Sequence, residues 1–202
     1  NSRPYVALEY LEGQSLRQRM NLDRPSHAEI LRIGLAIAEA LKEAHQGDIL
    51  HRDLKPENVI LARDGRLRVL DFGLAGVLQG DDYDKREDLE ESAIHEPDGG
   101  QAPGVQGTPA YMAPEQWEEA KPTPAVDIWA LGVILYEMVA GKRPYDESSA
   151  VKQAARVLGP YPVSPLAEEV PGELAELIMN CLQKAPSARP SAARVVQRIS
   201  EI

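Results

Sequence analysis

The chain has 202 residues, with 22 Lys and Arg against 32 Asp and Glu, for a formal net charge of −10. Hydrophobic residues make up 43% and charged ones 27%, the balance of a folded domain rather than a disordered or fibrous chain. That charge disfavours nucleic acid and anionic lipid as partners, a single cysteine (Cys181) excludes an internal disulfide, and the longest apolar run, Ile128 to Tyr136, falls short of the about 20 residues of a membrane span. With no apolar leader after Asn1, one domain in the cytoplasm is the expectation.

In chain order, residues 5–11 read as a strand that Gly13 breaks, followed by a short helix from Ser15 to Met20. Ser26 and Glu29 form a Ser-x-x-Glu capping box. Ile30, Ile33, Leu35, Ile37 and Leu41 then recur at helical spacing as far as His45, and Gly47 ends the helix. Val59–Leu61 and Leu67–Leu70 read as two short strands joined by a turn at Asp64-Gly65. Residues 76–106 lose all periodicity, and 81–91 carry seven acidic and two basic residues, which reads as a solvated block. Thr123 as N-cap and Pro124 at the first helical position open an all-round apolar helix to Ala140, with Gly141 as stop. Further helical patterns cover about 148–158, 172–183 and 191–201. The fold class expected is mainly α with a few short β hairpins.

The chemistry concentrates in His51-Arg52-Asp53-Leu54-Lys55-Pro56-Glu57-Asn58 and, thirteen residues past Asn58, in Asp71-Phe72-Gly73. The Asn58 amide and the Asp71 carboxylate stand at opposite ends of one hairpin and are hard oxygen ligands, the kind magnesium prefers. Asp53 offers a carboxylate that can orient an attacking hydroxyl and accept its proton. Lys55 places positive charge where a transferring phosphoryl group gathers negative charge.

These motifs resemble those of the protein kinase family, serine/threonine type. Residues 51–58 are similar to its catalytic loop and Asp71–Gly73 to its magnesium-binding turn. Ala113-Pro114-Glu115 resembles the end of the activation segment, here 71–115, and Asp127–Gly132 the central-helix motif. Lys55, with Gly107-Thr108-Pro109-x-Tyr111, points to serine or threonine rather than tyrosine acceptors in protein substrates. Arg189 is where the family has an arginine that pairs with Glu115. By the same resemblance, residues 1–13 are the last strand of the small lobe and the hinge, and 14–202 the C-terminal lobe, an α+β unit. Leu8 is then the gatekeeper, Glu9 and Leu11 hold the adenine of ATP through their backbone, Glu12 meets the ribose, and Ile60 forms the floor beneath the base. His51 braces the loop against Phe72, and Thr108 braces the substrate-binding loop.

Departures from the family pattern set further expectations. No Gly-x-Gly-x-x-Gly occurs in the 202 residues, nor a matching strand lysine, so the chain reads as a kinase without its N-terminal lobe and as inactive in isolation. Uncovered apolar surface near Leu8, Ile60 and Phe72 would favour self-association through that face or the activation segment. Between Gly73 and Thr108 the only hydroxyl side chains are Tyr83 and Ser92, and Glu96 or Asp98 are candidates to face Arg52 in place of a phosphate. Glu57 sits where some members of the family meet a basic residue of the substrate. His27, His45 and His95 read as surface or capping residues, and Cys181 as a packed thiol. The rival reading, a scaffold that binds partners without chemistry, lacks its usual signature because Asp53, Asn58 and Asp71 are all present.

Overall fold

The computed structural model describes residues 11–72 and 108–202. The strand expected at 5–11, Leu8, Glu9 and the stretch 73–107 with Tyr83, Ser92, His95, Glu96 and Asp98 lie outside the described residues.

The strand β1 (Gly13–Ser15) leads directly into the helix α1 (Leu16–Met20). Gly13 therefore opens a strand of its own. A Cβ at this position would lie 2.4 Å from the Leu61 carbonyl oxygen, so only glycine lets β1 approach its neighbour this closely. β1 pairs antiparallel with β2 (Val59–Ala62), Gly13 opposite Ala62, and β2 with β3 (Leu67–Val69), Val59 opposite Val69. Asp64 closes the hairpin turn by accepting the Arg66 amide at 2.9 Å, with Gly65 at φ 80°.

The complete capping box stands at Ser15 and Gln18, where each side chain satisfies the other's backbone amide, at 3.1 and 2.9 Å. At α2 (His27–Gln46) only half the expected box forms. Ser26 accepts the Glu29 amide at 3.2 Å, but the Glu29 carboxylate takes Arg19 at 2.9 and 2.7 Å instead. A charged partner holds a carboxylate more strongly than a backbone amide does. Ile30, Ile33, Ile37 and Leu41 are buried as the spacing predicts, whereas Leu35, off that stripe, is half-buried.

The short helix α3 (Pro114–Trp117) precedes the helix on which everything packs, α4 (Ala125–Ala140). Val126 through Val139 are buried without interruption, so α4 is surrounded on all sides by other elements. It starts one residue later than expected. Pro124 is the flanking residue, and the Thr123 carbonyl, not its hydroxyl, receives the Val126 amide at 3.1 Å. Gly141 ends it in the left-handed conformation at φ 70°. α2 packs on α4 and on α7 (Ala192–Glu201), with Gly34 facing both Leu135 and Ile199, and α6 (Gly172–Cys181) also packs on α4. α5 (Ala150–Leu158) flanks α3. Cys181 is fully buried against α4, and burial pushes its thiol up to about 12. Among the described residues no helix is long and apolar enough to cross a membrane.

α4 and α6 touch at Gly132, where a Cβ would stand 2.8 Å from the Cys181 Cβ and 3.1 Å from Leu182. Gly132→Ala should destabilise the fold by about 1–3 kcal/mol through this overlap, read as a lower denaturant midpoint at unchanged slope. An unchanged midpoint would show that the two helices separate freely.

Candidate active site

The loop 51–58 is held from beneath by one carboxylate. Asp127, 1% exposed, accepts the His51 amide at 3.0 Å, the Arg52 amide at 2.8 Å and the His45 Nε2 at 2.8 Å. His45 is thus no surface residue: α2 delivers its ring to the start of α4, where the buried carboxylate needs a third partner. Arg52 sits at φ 68°, a left-handed conformation that a non-glycine residue adopts at a cost of about 1–3 kcal/mol. The bond from its amide to Asp127 holds it there. His51 is buried, its ring 4.9 Å from that of Phe72, and its Nδ1 accepts the Asp53 amide at 3.4 Å.

Above this base the reactive groups converge. Lys55 Nζ donates to Asp53 Oδ2 at 2.6 Å and to Thr108 Oγ1 at 2.9 Å. Thr108 returns two bonds to Asp53 Oδ1, from its amide at 3.1 Å and its hydroxyl at 3.2 Å. Asn58 Nδ2 donates to the Asp53 carbonyl at 2.9 Å, which leaves its Oδ1 as an acceptor. The Leu70 amide donates to the Asn58 carbonyl at 2.8 Å, extending the β2–β3 ladder by one step. Asp71, exposed and at φ 62°, follows directly on that step. An amide oxygen and a carboxylate are hard donors that fit magnesium, and among the described residues no group of three or more His, Cys, Asp or Glu offers a rival site.

Of the residues expected at the nucleotide, Glu9 lies outside the described residues and Leu11 is half-buried next to β1. Glu12 is exposed, its carboxylate 3.1 Å from Arg63, and Ile60 is half-buried in β2 opposite Ser15. Three further contacts had no counterpart in the sequence reading. Gln116 accepts the Ala113 amide at 2.9 Å and donates to the Arg52 carbonyl at 3.2 Å, fastening α3 to the loop. Arg17 reaches Glu57 at 2.8 Å and Glu137 at 3.0 Å, so Glu57 already has a cationic partner. Burial works against the Arg17 charge, but the bonds to Glu137 and Glu57 outweigh it and raise its pKa. Tyr111, which also joins this cluster, is pushed far above the ordinary tyrosine value by burial and by Glu137. The only signal was Glu137 itself, an acid embedded in an apolar helix, which must find a partner somewhere.

The far side of α3 is anchored by Arg189. Its guanidinium meets both Glu115 oxygens at 2.7 and 2.8 Å, and donates to the carbonyls of Gln183 (2.7 Å), Ala125 (2.8 Å) and Lys184 (3.0 Å). All five N–H donors are used, and the same group lies 5.0 Å from the Trp129 ring.

Asp127→Ala strands two loop amides and the His45 ring. At about 1–3 kcal/mol per unsatisfied buried group, a loss of about 3 kcal/mol or more is expected in chemical unfolding, with Asp127→Asn losing less. Equal loss in both would mean that the charge and second oxygen of the carboxylate matter, and that a side chain of the same size with one acceptor recovers nothing.

The chain matches the protein kinase domain family over residues 1–199. It is 34% identical to the probable serine/threonine-protein kinase PkwA of Thermomonospora curvata, over 98% of this chain and 24% of that protein. The corresponding figures for the serine/threonine-protein kinase pkn3 of Myxococcus xanthus are 32%, 94% and 34%. For the serine/threonine-protein kinase PrkC of Bacillus subtilis they are 31%, 92% and 26%. The chain thus spans between about a quarter and a third of the length of these curated relatives. The matched span includes the loop 51–58, the Asp71 turn, α3 and α4, and the chain belongs to the protein kinase domain family.

Proposed function

We propose that this chain supplies the catalytic loop, magnesium ligands and substrate platform of a serine/threonine protein kinase. The observation that supports this reading is the Asp53 carboxylate, held by Lys55 and Thr108 beside Asn58. A carboxylate has about four acceptor positions. Three are taken by Lys55 and the two Thr108 donors, which leaves one for the hydroxyl of a protein serine or threonine. Asp53 orients that hydroxyl and accepts its proton as the oxygen attacks. Lys55, already at the carboxylate, stabilises the negative charge on the phosphoryl oxygens during transfer.

Asn58 Oδ1 and the Asp71 carboxylate would hold magnesium, and the segment with Glu9, Leu11, Glu12 and Ile60 would hold the adenosine of ATP. When bound, magnesium and ATP supply charge neutralisation and the phosphoryl group to be transferred. The buried Glu115–Arg189 pair keeps the Ala113–Glu115 turn rigid, so the protein substrate meets a fixed surface.

Two outcomes test this. In the kinase that carries this domain, Asp53→Asn should lower phosphate transfer by about 10²–10⁴-fold. Asp71→Asn should abolish magnesium-dependent nucleotide binding in calorimetry. Full transfer by the Asp53 variant would overturn the assignment. The 202 residues alone, which contain no Gly-x-Gly-x-x-Gly, are expected to transfer no phosphate. Missing phosphate contacts worth ~4 kcal/mol would weaken nucleotide binding about a thousandfold. Transfer from Mg-ATP by the isolated chain would refute this.

A further inference from the structure

Lys55 and Thr108 hold the carboxylate of Asp53, but its backbone is held from elsewhere. The peptide unit that joins Arg52 to Asp53 meets a side chain at each end. Its N–H donates to His51 Nδ1 at 3.4 Å, and its carbonyl accepts from Gln116 Nε2 at 3.2 Å. Among the described residues, Gln116 is the only donor to that carbonyl. The partners also fix which way the Gln116 amide points. Its Oε1 accepts the Ala113 amide at 2.9 Å, so only Nε2 is left to face the carbonyl.

This peptide needs holding. Arg52 sits at φ 68°, a region that a residue with a Cβ seldom occupies, and the chain relaxes if the adjoining peptide rotates. Asp127 restrains the Arg52 amide at 2.8 Å. That bond lies before the Arg52 Cα, however, and does not by itself orient the peptide beyond it. Gln116 reaches that peptide from a fixed base, because its neighbour Glu115 is buried against Arg189 through two hydrogen bonds. Thr108 belongs to the same stretch of chain. Residues 108–117 therefore grip Asp53 twice, at its carboxylate through Thr108 and at its root through Gln116.

We propose that Gln116 is a positioning residue for phosphoryl transfer. By donating to the Arg52 carbonyl it sets the direction in which Asp53 leaves the loop, and it makes the alignment of that carboxylate depend on α3. Its effect on transfer rests on the protein-kinase reading above, whereas its hold on the backbone does not depend on activity. Gln116 also caps the start of α3 through Oε1. The two tasks use different atoms, so substitutions can separate them.

Gln116→Glu keeps the acceptor for the Ala113 amide and loses the donor to Arg52. Gln116→Lys keeps a donor and loses the acceptor, and Gln116→Met loses both at similar length. Each is made in the kinase that carries this domain. Gln116→Glu and Gln116→Met should lower kcat about tenfold with the peptide KM within about twofold of the parent, and Gln116→Lys should rescue most of that loss. The reverse order, in which Gln116→Glu is active and Gln116→Lys is not, would leave Gln116 a helix cap and overturn the positioning role. An unchanged kcat, or a rise in KM alone, overturns it as well. Amide hydrogen exchange at Arg52 and Asp53, read in the same proteins without nucleotide, should quicken about tenfold in Gln116→Glu and Gln116→Met but not in Gln116→Lys. Equal exchange in all four proteins overturns the hold on the backbone. Should Gln116→Met not fold, the comparison of Gln116→Glu with Gln116→Lys decides both readouts. Absence of phosphate transfer by the parent kinase overturns the functional reading instead, and the exchange rates then decide the backbone role alone.

Discussion

Burying a helix on every side leaves no surface on which a charged side chain can escape to water. α4 nevertheless carries two acids, Asp127 near its start and Glu137 near its end, both buried. An unpaired carboxylate in such a place costs several kcal/mol, so each must gather donors from other elements. Asp127 gathers the backbone of the catalytic loop and the His45 ring, and Glu137 gathers Arg17 and Tyr111. The apolar length of the helix fixes the core, and its two charges fix the loops of the active face to that core.

The geometry around Asp53 follows from this. Asp127 holds Arg52 in a left-handed conformation, which turns the chain so that Asp53 and Lys55 emerge together above it. Gln116 and Thr108 then tie the neighbouring segment to the same loop, and Arg189 clamps that segment from behind through Glu115. For the proton-accepting role proposed for Asp53, a group that need not reorganise serves best, and Lys55 and Thr108 already hold its carboxylate.

Much of the secondary structure could be read because its signals are local. The stripe Ile30, Ile33, Ile37, Leu41 predicts one buried face of α2, the long apolar run predicts a helix buried all round, and Asp64-Gly65 predicts the hairpin. The misreadings occurred where a long-range partner outbid a local one. Glu29 leaves its cap for Arg19, and His45 leaves the surface for Asp127.

From the amino-acid order alone came the family resemblance, the mainly helical fold and the choice of Asp53, Lys55, Asn58 and Asp71 as candidates, because these depend on motifs whose members lie close together in the chain. The tertiary structure alone decided which residues hold those groups in place. Arg17 and Glu137 are 120 positions apart, and His45 and Asp127 are 82 apart. No periodicity or spacing reports such pairs, since they arise only when packing around α4 forces buried charges to choose among the donors that the fold brings within reach.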